Sequence, residues 1–94
     1  DRKDDMFNKF SLISDYTRFN IMVLLSERTM YGKEIAHKLS LSTGTISYHL
    51  STLIKEGLVI SKIKGKRIYY SINRGEVNKM SIFLHQMGES ADEE

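Results

Sequence analysis

About two thirds of the way along this chain, the spacing of apolar residues changes from helical to strand-like, and this change limits the possible folds most. The segment Leu58–Ile72, LVISKIKGKRIYYSI, is rich in β-branched and aromatic residues and has Lys-Gly-Lys near its middle. These features predict a β-hairpin with strands at residues 59–63 and 67–72 and a tip at Lys64–Lys66. The fold must therefore combine one hairpin with helices on both sides of it in the sequence.

Helical spacing of apolar residues accounts for the other elements. The predicted helices cover residues 4–13, 16–26, 31–39, 42–56 and 74–87. Asp15, Ser42 and Asn73 stand where N-cap residues belong. The third and fourth helices are close in sequence and the hairpin follows them. This order predicts a fold of the α+β class that is mostly helical: a winged helix-turn-helix with four helices, a two-stranded β-hairpin wing and a C-terminal helix.

We expect a single domain. The sequence has no Pro, no internal repeat and no Gly/Ser-rich linker, and 94 residues suit one small core. The winged helix-turn-helix domain is predicted to span residues 1–88, and the acidic residues 89–94 are predicted to form a disordered tail. A core of this size gives marginal stability, so a partner subunit would be favourable.

Charge is distributed unevenly along the chain. Residues 1–16 carry three basic and four acidic side chains, residues 17–79 carry eleven and four, and residues 80–94 carry none and four. The three parts therefore have net charges of −1, +7 and −4. A basic centre is typical of polyanion binding, although a solvated surface with a frayed tail would show the same pattern.

The predicted fourth helix has an apolar side and an outer side rich in hydroxyl groups. Ile46, Leu50 and Leu53 recur at helical spacing, and the remaining positions are mostly Ser, Thr, Gly and Tyr. Short hydroxyl side chains allow a close approach to base edges in a major groove and offer hydrogen bonds there. No acidic residue occurs between positions 35 and 55 to repel phosphate. We interpret this helix as a DNA-reading element; the alternative is a polar helix without a partner.

The tip of the predicted hairpin is strongly basic. Lys62, Lys64, Lys66 and Arg67 surround Gly65 without an acidic neighbour. Long cationic side chains at a hairpin tip suit contacts with phosphates or with the minor groove. Charged tips are common in proteins of many functions, so the prediction of DNA binding rests on the hairpin and the fourth helix together.

Residues 15–72 resemble the ArsR/SmtB-type winged helix-turn-helix repressors. DYTRFNIMVLL is similar to the Asp-Pro-Thr-Arg opening of that family, with Tyr16 in place of Pro, and KEIAHKLSLSTGTISYHLSTLIKEGLV is similar to its helix-turn-helix core. GKRIYYSI resembles the wing and its return strand. The resemblance implies a DNA-binding transcriptional regulator, a repressor, that binds a palindromic operator of double-stranded DNA as a homodimer built from the first and last helices.

Pattern and resemblance together predict two sets of contacts. The predicted DNA-binding residues are Ser42, Thr43, Gly44, Thr45, Ser47, Tyr48, His49, Thr52, Lys64, Lys66 and Arg67. For His49, packing on the apolar side with a bond to backbone is an equal alternative. The predicted dimer-interface residues are Phe7, Phe10, Ile13, Phe83, Leu84 and Met87. Packing of both terminal helices on the second helix of the same chain is the alternative to a dimer.

Several functions are not expected from this sequence. It has no Cys, and His85 with Glu89 is too small a set for a metal site, so we expect no metal and no cofactor. Paired carboxylates, a Gly-rich phosphate loop and a catalytic triad are missing, so we expect no enzyme. A cytoplasmic location without membrane contact is predicted. An effector or a preceding sensor domain is left open, and a winged-helix protein–protein interaction module is the alternative function.

Overall fold

The computed structural model describes residues 1–92, which form five helices and a three-stranded antiparallel sheet. Helices α1 and α2 are Arg2–Ile13 and Tyr16–Glu27, and strand β1 is Met30–Tyr31. Helices α3 and α4 are Gly32–Leu39 and Thr43–Lys55, strands β2 and β3 are Val59–Lys64 and Arg67–Ile72, and helix α5 is Arg74–Ser90. The predicted winged helix-turn-helix is confirmed.

Side-chain caps begin three of the helices at the predicted positions. Asp15, Ser42 and Asn73 precede α2, α4 and α5, and each side-chain oxygen accepts the backbone N–H three residues further on, at 3.0, 3.1 and 3.4 Å. Such a bond satisfies one of the N–H groups that a helix leaves without a partner in its first turn.

The helix-turn-helix is built from α3 and α4 around a sharp turn. Ser40 ends α3 in the left-handed conformation, with φ 56°, and its N–H bonds back to α3. Ile35 and Ala36 of α3 and the predicted apolar residues of α4 are all buried. The core lies where these helices meet α2 and the sheet; it consists of Met6, Ile21, Leu25, Met30, Ile35, Ala36, Ile46, Leu50, Leu53, Leu58, Val59 and Met80.

The sheet has one strand more than the sequence predicts. Strand β1 pairs with β3, so the strand order is β1-β3-β2. Met30 pairs with Tyr70 and is buried, which ties the start of the helix-turn-helix to the wing, residues 59–72. The third helix begins one residue later than predicted, because Tyr31 belongs to this strand. Gly65 closes the hairpin with φ 64°, a conformation that side chains rarely allow.

Helix α2 is less enclosed than its continuous apolar sequence predicts. Ile21 and Leu25 are buried in the core. Phe19 and Val23 belong to the same apolar run but are 49% and 44% exposed. The apolar surface on this side of α2 borders a groove that also involves α1 and α5.

The C-terminal helix is longer than predicted. Because α5 continues to Ser90, the prediction of a disordered tail is wrong for Glu89 and Ser90. Glu93 and Glu94 lie outside the described residues. Within the described part of the chain, no helix is both long enough and apolar enough to cross a membrane.

Candidate nucleic-acid interface

The first turns of α4 present a continuous polar surface to solvent. We call the exposed residues Thr43, Gly44, Thr45, Ser47 and Tyr48 the recognition face. Tyr48 is 67% exposed, although it belongs to a helix whose other side is buried in the core. The N-terminal end of the helix also carries the positive end of the helix dipole, which favours a nearby phosphate.

Three of the hydroxyl groups predicted to contact DNA are engaged within the helix. Ser42 caps α4 and donates a hydrogen bond to Thr45 Oγ1 at 2.9 Å. Thr52 is half-buried, and its hydroxyl donates to the backbone carbonyl of Tyr48 at 3.1 Å. Ser42 and Thr52 therefore support the geometry of α4, whereas Thr45 only accepts in its bond with Ser42 and keeps its own O–H as a donor for a partner.

Gly44 has no internal role that requires a glycine. A Cβ added there would come no closer than 4.0 Å to Ser42 Oγ, which is an ordinary contact. Since glycine weakens a helix relative to alanine, its presence on the recognition face suits the close approach of another molecule.

His49 lies at the edge of the interface rather than on the recognition face. It is half-buried, and its Nδ1 is 3.1 Å from a guanidinium nitrogen of Arg18 in α2. The alternative of a histidine that packs inward is therefore closer to the observed geometry, but its bond is to a side chain instead of the backbone. Arg18 was not predicted as a site residue, although it is the arginine of the segment DYTR, which resembles the Asp-Pro-Thr-Arg sequence of the ArsR/SmtB-type repressors.

The wing places its cations in two different environments. Lys62, Lys64 and Lys66 are exposed. Arg67 folds back on the body of the protein, with its guanidinium carbon 4.2 Å from the ring centroid of Tyr31. A hydrogen bond to the Tyr69 side chain raises the pKa of Arg67. The wing thus combines long exposed lysines with one arginine that an aromatic platform holds in place.

Comparison with known proteins decides the family. The pattern described as "Bacterial regulatory protein, arsR family" matches residues 15–61, half of the chain. The chain is 35% identical to the transcriptional repressor SdpR of Bacillus subtilis over 85 residues, which cover 86% of this chain and 94% of SdpR. The chain belongs to the ArsR family. It is a DNA-binding transcriptional regulator with a winged helix-turn-helix fold, and its family is one of regulators rather than enzymes.

Solved structures of similar proteins agree with this assignment. An ArsR-like transcriptional regulator from Rhodococcus sp. RHA1 superimposes with a TM-score of 0.83 at 30% identity, over 93% of this chain and 82% of that one. Mb0332 from Mycobacterium bovis, described as a homodimeric winged helix-turn-helix DNA-binding domain, gives a TM-score of 0.76 at 25% identity, over 95% and 86% of the two chains.

The predicted dimer-interface residues of this ArsR-family chain fall into two groups. Phe10, Ile13 and Phe83 are half-buried and pack against the core of the same chain, with the rings of Phe10 and Phe83 6.5 Å apart. Phe7, Leu84 and Met87 are more than half exposed. Leu84 also borders an apolar groove of about 340 Å³ between α1, α2 and α5, lined by Phe10, Ile13, Phe19, Met22, Val23, Ser26, Ile72, Val77, Met80, Ser81 and Leu84.

Metal-binding side chains are sparse in this ArsR-family protein. His85 Nε2 lies 3.3 Å from Glu89 Oε1 on the exposed surface of α5. Across residues 1–92, no three His, Asp or Glu side chains come together in a way that could hold a metal ion. The terminal helix thus offers at most two ligands from one protomer.

Proposed function

We propose that this chain represses transcription as a homodimer that places the α4 helix of each protomer in successive major grooves of a palindromic operator. The observation that carries the proposal is the exposed hydroxyl-rich recognition face beside a basic wing. Reading base edges needs short hydrogen-bonding side chains that can enter the groove, and positioning needs cations that contact the flanking phosphates.

The two parts of the interface have different roles in this proposal. Thr45 and Tyr48 contact base edges, while Lys64, Lys66 and Arg67 contact phosphates or the adjacent minor groove. The recognition face contains no carboxylate, so it can approach the phosphate backbone without repulsion. Sequence preference then depends mainly on α4, and overall affinity depends mainly on the wing.

The dimer of this proposal forms through α1 and α5. Phe7, Leu84 and Met87 are exposed on these two helices, and Leu84 also lines the apolar groove. Burying them against a second copy would remove their apolar surface from water. The related Mb0332 domain is described as homodimeric. A two-fold axis through this interface presents two recognition faces, which is why the operator is expected to be palindromic.

Repression is proposed because a dimer bound across a promoter blocks access to it, and the similar protein SdpR is named a transcriptional repressor. A cytoplasmic location is part of the proposal, since the protein must reach chromosomal DNA. A bound dimer would place two recognition faces and two wings along one face of the duplex, one of each from each protomer.

Salt-dependent binding to a fluorescent mixed-sequence duplex tests DNA contact by the wing. Anisotropy measured from about 50 to 200 mM salt should show a steep linear fall of log affinity against log salt, because cations displace condensed counterions. Replacing Lys64, Lys66 and Arg67 with Gln should reduce that slope by about one for each removed cation in each protomer.

A control with the same change of charge is available away from the wing. Replacing Lys3, Arg74 and Lys79 with Gln removes three cations from α1 and α5 and should leave most of the slope intact. If both triple variants flatten the slope equally, general charge rather than the wing binds the phosphates. If the wild-type protein does not bind any duplex at 50 mM salt, the winged helix contacts proteins instead of DNA.

A further inference from the structure

Arg18 connects three helices through a single guanidinium group. It lies in the first turn of α2, and its side chain is half-buried. Its Nε donates a hydrogen bond to the backbone carbonyl of Leu12 in α1 at 2.7 Å, and its Nη1 is 3.1 Å from His49 Nδ1 in α4. The helix that carries the recognition face is thereby linked to α1 as well as to α2.

The contact with Arg18 determines which nitrogen of the His49 ring carries the proton. A guanidinium group has donors only, so Nδ1 of His49 must be the accepting nitrogen and its proton must be on Nε2. Protonation of Nδ1 would remove the lone pair that accepts the bond and would bring two cations to 3.1 Å from one another. The observed contact therefore requires a neutral His49.

The ring of Tyr48 packs against the ring of His49. The two rings pack edge to face, with centroids 5.2 Å apart and an interplanar angle of 66°. Neighbouring residues of a helix point about 100° apart, so His49 can turn towards α2 while Tyr48 stays on the recognition face. The exposed Tyr48 ring therefore contacts a ring that itself contacts Arg18.

The charged neighbour of this contact on α2 is Asp15. Its carboxylate caps α2 by accepting the N–H of Arg18 at 3.0 Å. This bond lowers the pKa of Asp15, and the positive charge of Arg18 contributes to the same shift. From α1, the group that faces the guanidinium is the uncharged Leu12 carbonyl. Arg18 and Asp15 therefore set the electrostatic surroundings of His49 from α2.

We propose that Arg18 is a positioning residue that fixes His49, and through it Tyr48, in the orientation that reads bases, and that it does so only while His49 is neutral. This inference rests on the proposed role of α4. It adds a pH dependence of sequence discrimination, which is distinct from the salt dependence of overall affinity. Acidification would free His49 from Arg18 and let the Tyr48 ring move.

The test uses an operator selected from random-sequence DNA by binding to the wild-type protein. It measures the ratio of the affinity for this operator to the affinity for a scrambled duplex, from pH 5.5 to 8. In the wild-type protein the ratio should fall as the pH decreases, because a proton on Nδ1 of His49 would remove the acceptor of the Arg18 bond. At pH 8, Arg18→Gln and His49→Leu should each lower the ratio about tenfold, because a hydrogen bond to a charged group is lost. Arg74→Gln, a control that removes the same charge on α5, should leave the ratio unchanged.

His49→Asn gives a readout that a merely structural role would not produce. The amide oxygen of Asn can accept the Arg18 bond but does not titrate, so this variant should keep more of the ratio than His49→Leu and should show no pH dependence. If Arg18→Gln fails to fold, this comparison still decides the question.

Three results would overturn the inference: an unchanged ratio in Arg18→Gln and His49→Leu, equal losses in His49→Asn and His49→Leu, or a wild-type ratio that is constant across the pH range. Failure of the proposed function has a different signature. In that case the wild-type protein would not distinguish any selected operator from scrambled DNA at pH 8.

Discussion

At the scale of single residues, Tyr48 is the largest side chain on the recognition face, and it belongs to a helix that is otherwise rich in small groups. We expect Tyr48→Ala to lower the ratio of operator to scrambled affinity by about tenfold or more, since contacts with base edges discriminate by roughly 1–3 kcal/mol. Competition binding with the two duplexes measures this ratio directly.

Tyr16→Ala is the matched control, because Tyr16 is a still more exposed tyrosine, at 78%, outside α4 and the wing. This control should keep the ratio of the wild-type protein. A loss of affinity for both duplexes in equal proportion after Tyr48→Ala would assign Tyr48 to phosphate contact and contradict its role in reading bases.

Residues with local roles could be predicted from the sequence, whereas residues with distant partners could not. The caps Asp15, Ser42 and Asn73 are recognisable because each acts on a backbone N–H only three residues away. The bond between Arg18 and His49 joins residues 31 positions apart, and no periodicity in the sequence indicates such a contact. The recognition face was accessible to sequence reasoning because exposed hydroxyl groups are unusual on a helix.

At the scale of elements, the cap of α2 leads to a prediction about stability and pH. Asp15→Ala should lower the free energy of unfolding by about 1 kcal/mol at pH 7, because it removes the acceptor for the Arg18 N–H. Asp15→Asn should cost less, since an amide oxygen can still cap the helix. Urea denaturation at a fixed protein concentration gives these differences.

The advantage of Asp15 over Asn at this position should depend on pH. The folded protein lowers the pKa of Asp15, so the carboxylate stabilises the fold above its unfolded pKa, and this contribution is lost as the pH falls through the lower folded value. The two proteins should therefore converge in stability below about pH 4. Asp92→Asn, beyond the end of α5, is the control and should match the wild-type protein at each pH.

Helices and strands that are long enough to show a periodic pattern of apolar residues were predicted well, and the exceptions have physical causes. Strand β1 has only two residues, too few to show any alternation. Phe19 and Val23 belong to a nearly continuous apolar run in α2, so the sequence does not distinguish its core-facing side from the side at the groove. The acidic end of α5 has the composition of a tail, yet it continues the helix to Ser90.

At the scale of the whole molecule, the dimer interface can be tested with a charge on α5. Leu84 lines the apolar groove and is 54% exposed. Leu84→Glu should shift the protein towards monomers at micromolar concentration, since the new carboxylate would have to be buried without a partner. Sedimentation velocity measures the shift, and operator affinity should fall with it.

Ile82 provides a control on the same helix, because it is 52% exposed but faces away from the groove. Ile82→Glu introduces the same charge and should leave the dimer intact. Dissociation by both variants to the same extent would indicate that α5 loses its structure or that the interface lies elsewhere.

The architecture of one protomer followed from its sequence, but its pairing did not, because Phe10 and Phe83 serve the core of a single chain as well.

The strand order β1-β3-β2 leaves β2 at the outside of the sheet, with unpaired backbone groups along one side. Ile60 and Ile63 are exposed on this edge strand, which also carries the exposed Lys62 and Lys64. Lysines on an open edge discourage the addition of a strand from another molecule, which is a first step of aggregation. The wing lysines therefore have a second consequence besides the proposed contact with phosphates: a neutral wing would expose a template for self-assembly.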